Sequence, residues 1–486
     1  MPEPLAAAMP RSRKTLPKRP RVVDTNNCLL EMCNHVIPHP ITHNPIFLRT
    51  KAIHSSSYVC TPYRYVPQVP QELIDTIIDY IDDMATLKAC SLVCWAFVPA
   101  SRTHIFHTVC LEMLHDAPAK FFAILARNPH LEVYIRDLTI YRDCGTDLWM
   151  KPGSPLPAIL SMLNHVERFS LLGCWGDWKD IPRHFANAIH RVISLRTLDR
   201  LHLLTASNVP PAVLNSALSV RVLSMFHVSV DSKQNVKRSL RLPHIRDSSS
   251  SSSPEFLNLS VDSKVGTILE YMRAPGSAYF ANVRRLAINP IPNSPNSAGN
   301  FAKVLSSVET TLERLDVQIH ESHYEPFDTS KLNMMRALQL HIIKKGVNTI
   351  PELLVPFVAR LRAMNPRLQS LTIVIHLPFE AVDAGLDYPC VDRLKAIDFH
   401  LSDEATGFTE LKEVLFKIVA EASPPTLLLN YPSFVSDHLP RTRARGILKV
   451  EEGTRVRDMA VMPLLPYTGV WPHRSKKNDT QNSTSR

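Results

Sequence analysis

Glycine is scarce in this chain, at 13 of 486 residues, well under half the usual ~7%. Loops that cradle phosphates need glycine where the backbone must come close to a ligand. Those chemistries therefore lack their material. The sequence has no G-x-G-x-x-G, no G-x-x-x-x-G-K-[ST], no G-x-S-x-G and no H-E-x-x-H. The local signatures of dinucleotide binding, P-loop phosphoryl transfer, α/β-hydrolase chemistry and zincin proteolysis are thus missing. The nearest approach, His320-Glu321-Ser322-His323, spaces its histidines three apart after a predicted strand, not four apart on a helix, and is not read as a metal site. Nine cysteines are scattered without a Cys-x-x-Cys pair, which argues against a closed zinc centre and for reduced thiols in a cytoplasmic or nuclear protein. No uncharged apolar run approaches the ~18 residues of a membrane span. The opening MPEPLAAAMPRSRKTLPKRPRVV places its basic residues after the apolar stretch, which fits neither a secretory signal nor a transit helix. No cofactor, metal or catalytic residue is expected.

What remains is an ordinary globular composition, with 45% hydrophobic and 21% charged residues. The formal charge of +10 is unevenly spread. Residues 1–65 carry nine Lys/Arg against three Asp/Glu (+6) and residues 436–486 carry ten against five (+5), so the rest holds 36 against 37 (−1). Basicity confined to the ends, without interleaved aromatics, argues against nucleic acid as the partner. The ends are expected to be a disordered basic leader (1–65) and a basic flexible tail (436–486).

Between them an apolar-x-x-apolar-x-apolar pattern recurs as IRDLTI (135–140), VERFSL (166–171), LDRLHL (198–203), VRVLSM (220–225), VRRLAI (283–288), LERLDV (312–317), MRALQL (335–340), LQSLTI (368–373) and LKAIDF (394–399). Amphipathic helix candidates lie between, among them PAILSMLNHV, RHFANAIHRVISL, FAKVLSSVETTL, LLVPFVARLRAM and ELKEVLFKIVAEA. One strand and one helix per ~20–30 residues predicts an α/β fold of irregular leucine-rich-repeat type over 111–435, parallel strands alternating with helices. A doubly wound α/β sheet alternates in the same way and is the other reading. One interval, Leu223 to Leu286, is about twice as long; its serine-rich stretch predicts a disordered insertion at 232–264.

Residues between the apolar positions should face the open side of the strand ladder, which places His202, His320, His341, His376 and His400 there. Arg168, Arg200, Arg285 and Arg314 precede the central apolar residue in four repeats. Like positions of stacked strands form a column, and a column of guanidinium groups suits a phosphate or an acidic segment of a target. Glu167, Asp199 and Glu313 sit next door as possible neutralising acids.

Residues 66–110 have a different texture. Leu73, Ile77, Ile78 and Ile81 recur at helical spacing, Pro70 suits a helix start, and Asp82 and Asp83 end one helix and cap the next. Leu87, Cys90, Val93 and Cys94 form a second stripe. The segment VPQELIDTIIDYIDDMATLKACSLVCWAFVPASRTHIF resembles an F-box, in the form common in fungal F-box-like proteins. The resemblance rests on Val69-Pro70, Glu72-Leu73, Ile77, Ile78, Leu87, Cys90, Val93, Cys94 and Val98-Pro99-Ala100-Ser101-Arg102. It departs at Trp95, where the family has Arg, and at Phe97, where it has Trp. The resemblance implies a three-helix module that docks an Skp-type adaptor, and through it a cullin, with Val69, Pro70, Glu72, Leu73, Ile77, Leu87, Val93 and Phe97 at the contact. It also implies that the repeats bind a protein target. Without a ubiquitin role, the chain would be a leucine-rich-repeat interaction scaffold.

Overall fold

The computed structural model describes residues 69–112, 116–142, 153–173, 175–231, 253–261, 265–273, 279–290, 297–320, 329–343, 354–365, 367–377, 389–402, 408–420 and 431–453. The chain forms two compact units that part between Ser101 and Arg102.

The first unit contains α1 (Gln71–Asp79) and α2 (Met84–Val93); α3 (Val98–His107) starts before the boundary and ends beyond it. Pro70 stands just before α1, and its carbonyl accepts from the N–H groups of Leu73 and Ile74 at 3.1 and 3.3 Å. Asp83 caps α2 by accepting from the Thr86 hydroxyl and the Thr86 N–H at 2.6 and 2.7 Å. These bonds favour the ionised carboxylate and hold the Asp83 carboxyl below its ordinary range. Ile74, Ile78 and Leu87 are buried.

In the second unit strands and helices alternate: β1 (Thr108–Glu112), α4 (Ala117–Arg127), β2 (Asp137–Arg142), α5 (Leu156–Met162), β3 (Arg168–Gly173), the short β4 (Gly176–Asp177), α6 (Arg183–Ile193), β5 (Arg200–Leu204), the short β6 (Ala206–Ser207), α7 (Pro211–Ala217), β7 (Val222–Phe226), β8 (Phe256–Val261), α8 (Val265–Met272), β9 (Arg285–Pro290), α9 (Ser297–Val308), β10 (Arg314–His320), β11 (Ala337–Ile343), α10 (Leu354–Met364), β12 (Ser370–Leu377), α11 (Pro389–Ser402), β13 (Glu413–Ala420), α12 (Tyr431–His438), α13 (Pro440–Ala444) and β14 (Leu448–Gly453). Twelve strands form one parallel sheet in strictly sequential order, and β4 pairs with β6 beside it. A doubly wound sheet reverses its order at a switch point; this one never does. Crossovers of one hand taken in one direction put the helices on one face, and Leu138, Phe169, Leu201, Leu223, Leu257 and Leu286, in register on consecutive strands from β2 to β9, are fully buried.

Several expectations need correction. LKAIDF lies inside α11, where Leu394, Ile397 and Leu401 are buried at helical spacing; an apolar-x-x-apolar motif fits a helix as well as a strand. His400 therefore sits on that helix, not on the ladder. ELKEVLFKIVAEA contains β13, whose Val414 and Phe416 are buried in alternation, as its β-branched and aromatic content favours. The segment read as an insertion ends in β8, so Leu257 divides the long interval nearly in half; 232–252 lie outside the described residues. Residues 436–453, read as tail, carry the end of α12, α13 and β14. Asp398 of α11 anchors that segment: it is buried and accepts from Arg441 N–H, Thr442 N–H and the Thr442 hydroxyl at 3.0, 2.8 and 2.7 Å. The leader 1–65 lies outside the described residues.

Candidate protein-docking surfaces

The first surface is on α1 and α2. A helix with one buried face normally turns a polar face to water, yet α1 is apolar on two sides. Ile74 and Ile78 point inward, and Leu73 and Ile77, each one residue earlier, are both 55% exposed. The Gln71 amide donates to the Ala96 carbonyl at 2.8 Å, which sets the first turn of α1 beside the end of α2 and the segment after it. There Val93 is 71% and Trp95 61% exposed, and Leu92, Tyr80 and Met84 are open as well. A chain rarely leaves so many large apolar side chains open on so small a unit without a use for them. Of the residues the resemblance assigns to an adaptor contact, Val69, Pro70, Glu72, Leu73, Ile77 and Val93 are exposed and Phe97 is half-buried. Leu87 is a correction: at 4% exposure it belongs to the core between the helices. Trp95, Leu92 and Tyr80 were missed, because a stripe of apolar residues reads as core until its partner face is known.

The second surface is the face of the sheet opposite the buried leucines. Arg168 aligns with Arg200, and Arg285 with Arg314, all in one row across the sheet. The row is not continuous. Val222 and Phe256 stand between the two arginine doublets. Arg168 donates to Asp137 at 2.8 Å. Asp316, almost fully buried, accepts from Arg285 at 2.8 and 3.0 Å and from Arg314 at 2.9 Å. Arg285 also lies 4.6 Å over the Phe256 ring.

The acids expected to neutralise the column are held elsewhere. Glu167 pairs with Arg136 at 3.2 Å and Glu313 with Arg284 at 3.6 Å. Asp199 accepts from Arg221 at 2.9 and 2.8 Å, and the Arg221 hydrogen bonds hold its carboxyl below the ordinary range. Its contact with Arg200 is longer, at 3.4 Å. The row just outside the sheet is largely a charge ladder of its own, so among the described residues the acidic partners of the four arginines are Asp137, Asp316 and, at the longer distance, Asp199.

Two residues along each strand a second, polar row crosses the sheet, of which sequence reasoning singled out only His202. It runs Ser170, His202, Ser224, Asn258, Ala287, Asp316, Gln339. The Nδ1 of His202, the hydroxyl of Ser224 and both amide atoms of Asn258 are buried without a hydrogen-bond partner. Burial pushes the His202 imidazole down to about 4, helped by Arg168 and Arg200, so it is neutral near pH 7. Farther along, Arg314 donates to the Gln339 carbonyl, which leaves the Gln339 amide N–H to donate to His341 Nε2 at 2.6 Å. His341 Nδ1 then carries the proton and donates to His376 Nε2 at 3.1 Å. Burial lowers both imidazoles well below their ordinary value. The signal for this row was the residue between the second and third apolar positions of each motif.

Among the described residues, no three His, Cys, Asp or Glu side chains converge as a metal site requires. His320 ends β10, and 321–323 lie outside the described residues. No described helix is long and apolar enough to cross a membrane. No protein-family model matches the chain, and no curated protein is found to be similar to it.

Proposed function

We propose that this chain is the substrate-recognition subunit of a cullin-type ubiquitin ligase, in which the helices of 66–110 dock an Skp-type adaptor and a leucine-rich-repeat-like body holds a protein target. The observation that carries the reading is the two-sided α1: one apolar face is spent on the unit's own core, and the other, Leu73 and Ile77, stays open beside Val93 and Trp95. Burial of such side chains against a partner stabilises association at about 25 cal/mol per Å². The resemblance of the same segment to an F-box names the partner. The singly wound sheet, with its strands in sequential order, supports the repeat reading. The chain itself transforms nothing; it brings a target lysine near a charged ubiquitin carrier held by other subunits, an effect of proximity. A protein with this role works in the cytoplasm or nucleus.

The test is a pull-down of Skp-type adaptor and cullin by the intact chain and by a variant with Pro70, Leu73 and Ile77 replaced by polar residues, with circular dichroism to confirm that the body stays folded. Capture by the intact chain and loss in the folded variant supports the reading. No capture by the intact chain leaves a repeat scaffold with no ubiquitin role.

A further inference from the structure

The sheet ends on one side in β14, and among the described residues no strand lies beyond it. The Val414 N–H donates to the Ile447 carbonyl at 2.8 Å, and with Val414 in register with Leu448 this turns the main chain of Ile447, Lys449 and Glu451 toward β13. In a parallel ladder the alternate residues face the other way, so the N–H and C=O groups of Leu448, Val450 and Glu452 line the outer edge. An edge of this kind is a template for another strand. Its apolar row is also incomplete. Val414 and Phe416 of β13 are fully buried, whereas their partners across the ladder, Leu448 and Val450, are only half-buried. On the other face Lys449 and Glu451 are exposed. Lys449 reaches back to Glu413 at 2.8 Å, and Glu451 lies in register beside Lys417.

Charged residues usually keep an edge from pairing, but their order here is self-complementary about a two-fold axis. Antiparallel pairing joins outward-facing residues to outward-facing residues, which leaves few registers. With Val450 opposite Val450 of a second copy, the main chain of Leu448 meets that of Glu452, and Lys449 of each copy faces Glu451 of the other. With Leu448 opposite Val450, Lys449 faces Lys449; with Val450 opposite Glu452, Glu451 faces Glu451. A parallel, in-register alignment also sets like against like. Opposite charges across a strand pair stabilise it and like charges destabilise it. The matched register forms about six main-chain hydrogen bonds, two for each outward pair, and sets Val450 against Val450 across the seam. It also runs Lys417, Glu451 and the second copy's Lys449 and Glu413 in alternating sign.

We propose that two copies of this chain associate edge to edge through β14, antiparallel about Val450, so that their sheets join into one. A two-fold contact is closed, and assembly stops at two. A pair of six-residue strands covers less than the ~1,200 Å² of a stable interface, which makes the dimer reversible in the micromolar range. The proposal is independent of the adaptor reading, whose surface on α1 and α2 it does not use.

The test is analytical ultracentrifugation of the full chain across the micromolar range, where a monomer–dimer equilibrium is expected. Val450→Pro removes the central outward N–H, and proline is tolerated at an edge position whose N–H faces solvent. It should abolish the dimer while circular dichroism stays unchanged. Lys449→Glu and Glu451→Lys should each weaken self-association ~10-fold, and an equimolar mixture of the two should dimerise again, because each variant then meets the opposite sign in the other. Should Val450→Pro fail to fold, the mixture decides alone. A monomer at every concentration, species larger than a dimer, a dimer retained by folded Val450→Pro, or a mixture no tighter than its components would each overturn the proposal.

Discussion

Replacing Asp316 with Asn should make the protein less stable. Asp316 is almost fully buried and accepts three hydrogen bonds from two guanidinium groups, Arg285 and Arg314. Breaking a fully buried ion pair by removing one partner costs about 3–5 kcal/mol, whereas exposed pairs are worth about 0–1. Here the carboxylate is sealed, but Arg285 and Arg314 are 33% and 39% exposed, and solvent screens the charges left behind. The loss should therefore fall between these limits, at about 2 kcal/mol. Urea denaturation of Asp316→Asn, Arg285→Met and the double variant measures it, with the coupling term isolating the pair. A loss below about 0.5 kcal/mol would refute the account of this cluster.

Gly173 closes β3 at φ +94°, and a Cβ built there would sit 1.8 Å from the Arg142 carbonyl oxygen. Gly173→Ala should cost more than about 2 kcal/mol, the strain of the conformation alone being about 1–3, and near-unchanged thermal unfolding would contradict that geometry. Asp398→Ala removes three bonds to the start of α13 and should strip hydrogen-exchange protection from Leu448–Gly453 while leaving β2 and β3 protected. The His202 imidazole titrates near 6.5 when the chain is unfolded and at about 4 when folded, so between these pH values the unfolded state binds the extra proton. Stability should fall by at most roughly 3 kcal/mol as pH drops from 6.5 to 4. In His202→Gln the slope in this window should be shallower; an unchanged slope would show that the imidazole does not contribute it.

The repeat period was legible because a parallel strand buried under a helix must present apolar residues at alternate positions. Eight of the nine motif matches fall on strands of the sheet, and the register of Arg168 with Arg200 and of Arg285 with Arg314 followed from the motif alone. The ninth match, LKAIDF, and the missed β13 show the limit: over six residues the spacing of Leu394 and Ile397 serves a helix as readily as a strand, and only contacts distant in sequence decide. β8 was hidden by the serine run that precedes it. The discontinuity of the arginine column was also hidden, since Val222 and Phe256 become its neighbours only through pairing across the sheet. Likewise the engagement of Glu167 with Arg136 and of Glu313 with Arg284 depends on which strand lies beside which. On α1 the spacing located the apolar residues but not their division into an inner pair, Ile74 and Ile78, and an outer pair, Leu73 and Ile77.

The measurement that bears most directly on the central claim is a calorimetric titration of the intact chain with an Skp-type adaptor at several temperatures. Tight binding is expected, with the negative heat-capacity change that marks apolar burial. Leu73 and Ile77 are already half-covered, so each should contribute about half of the 1.5–3 kcal/mol of a fully buried side chain. The double change to Asn should then weaken binding roughly 10- to 100-fold. No heat of binding with the intact chain, or equal affinity in the folded double variant, would contradict the account.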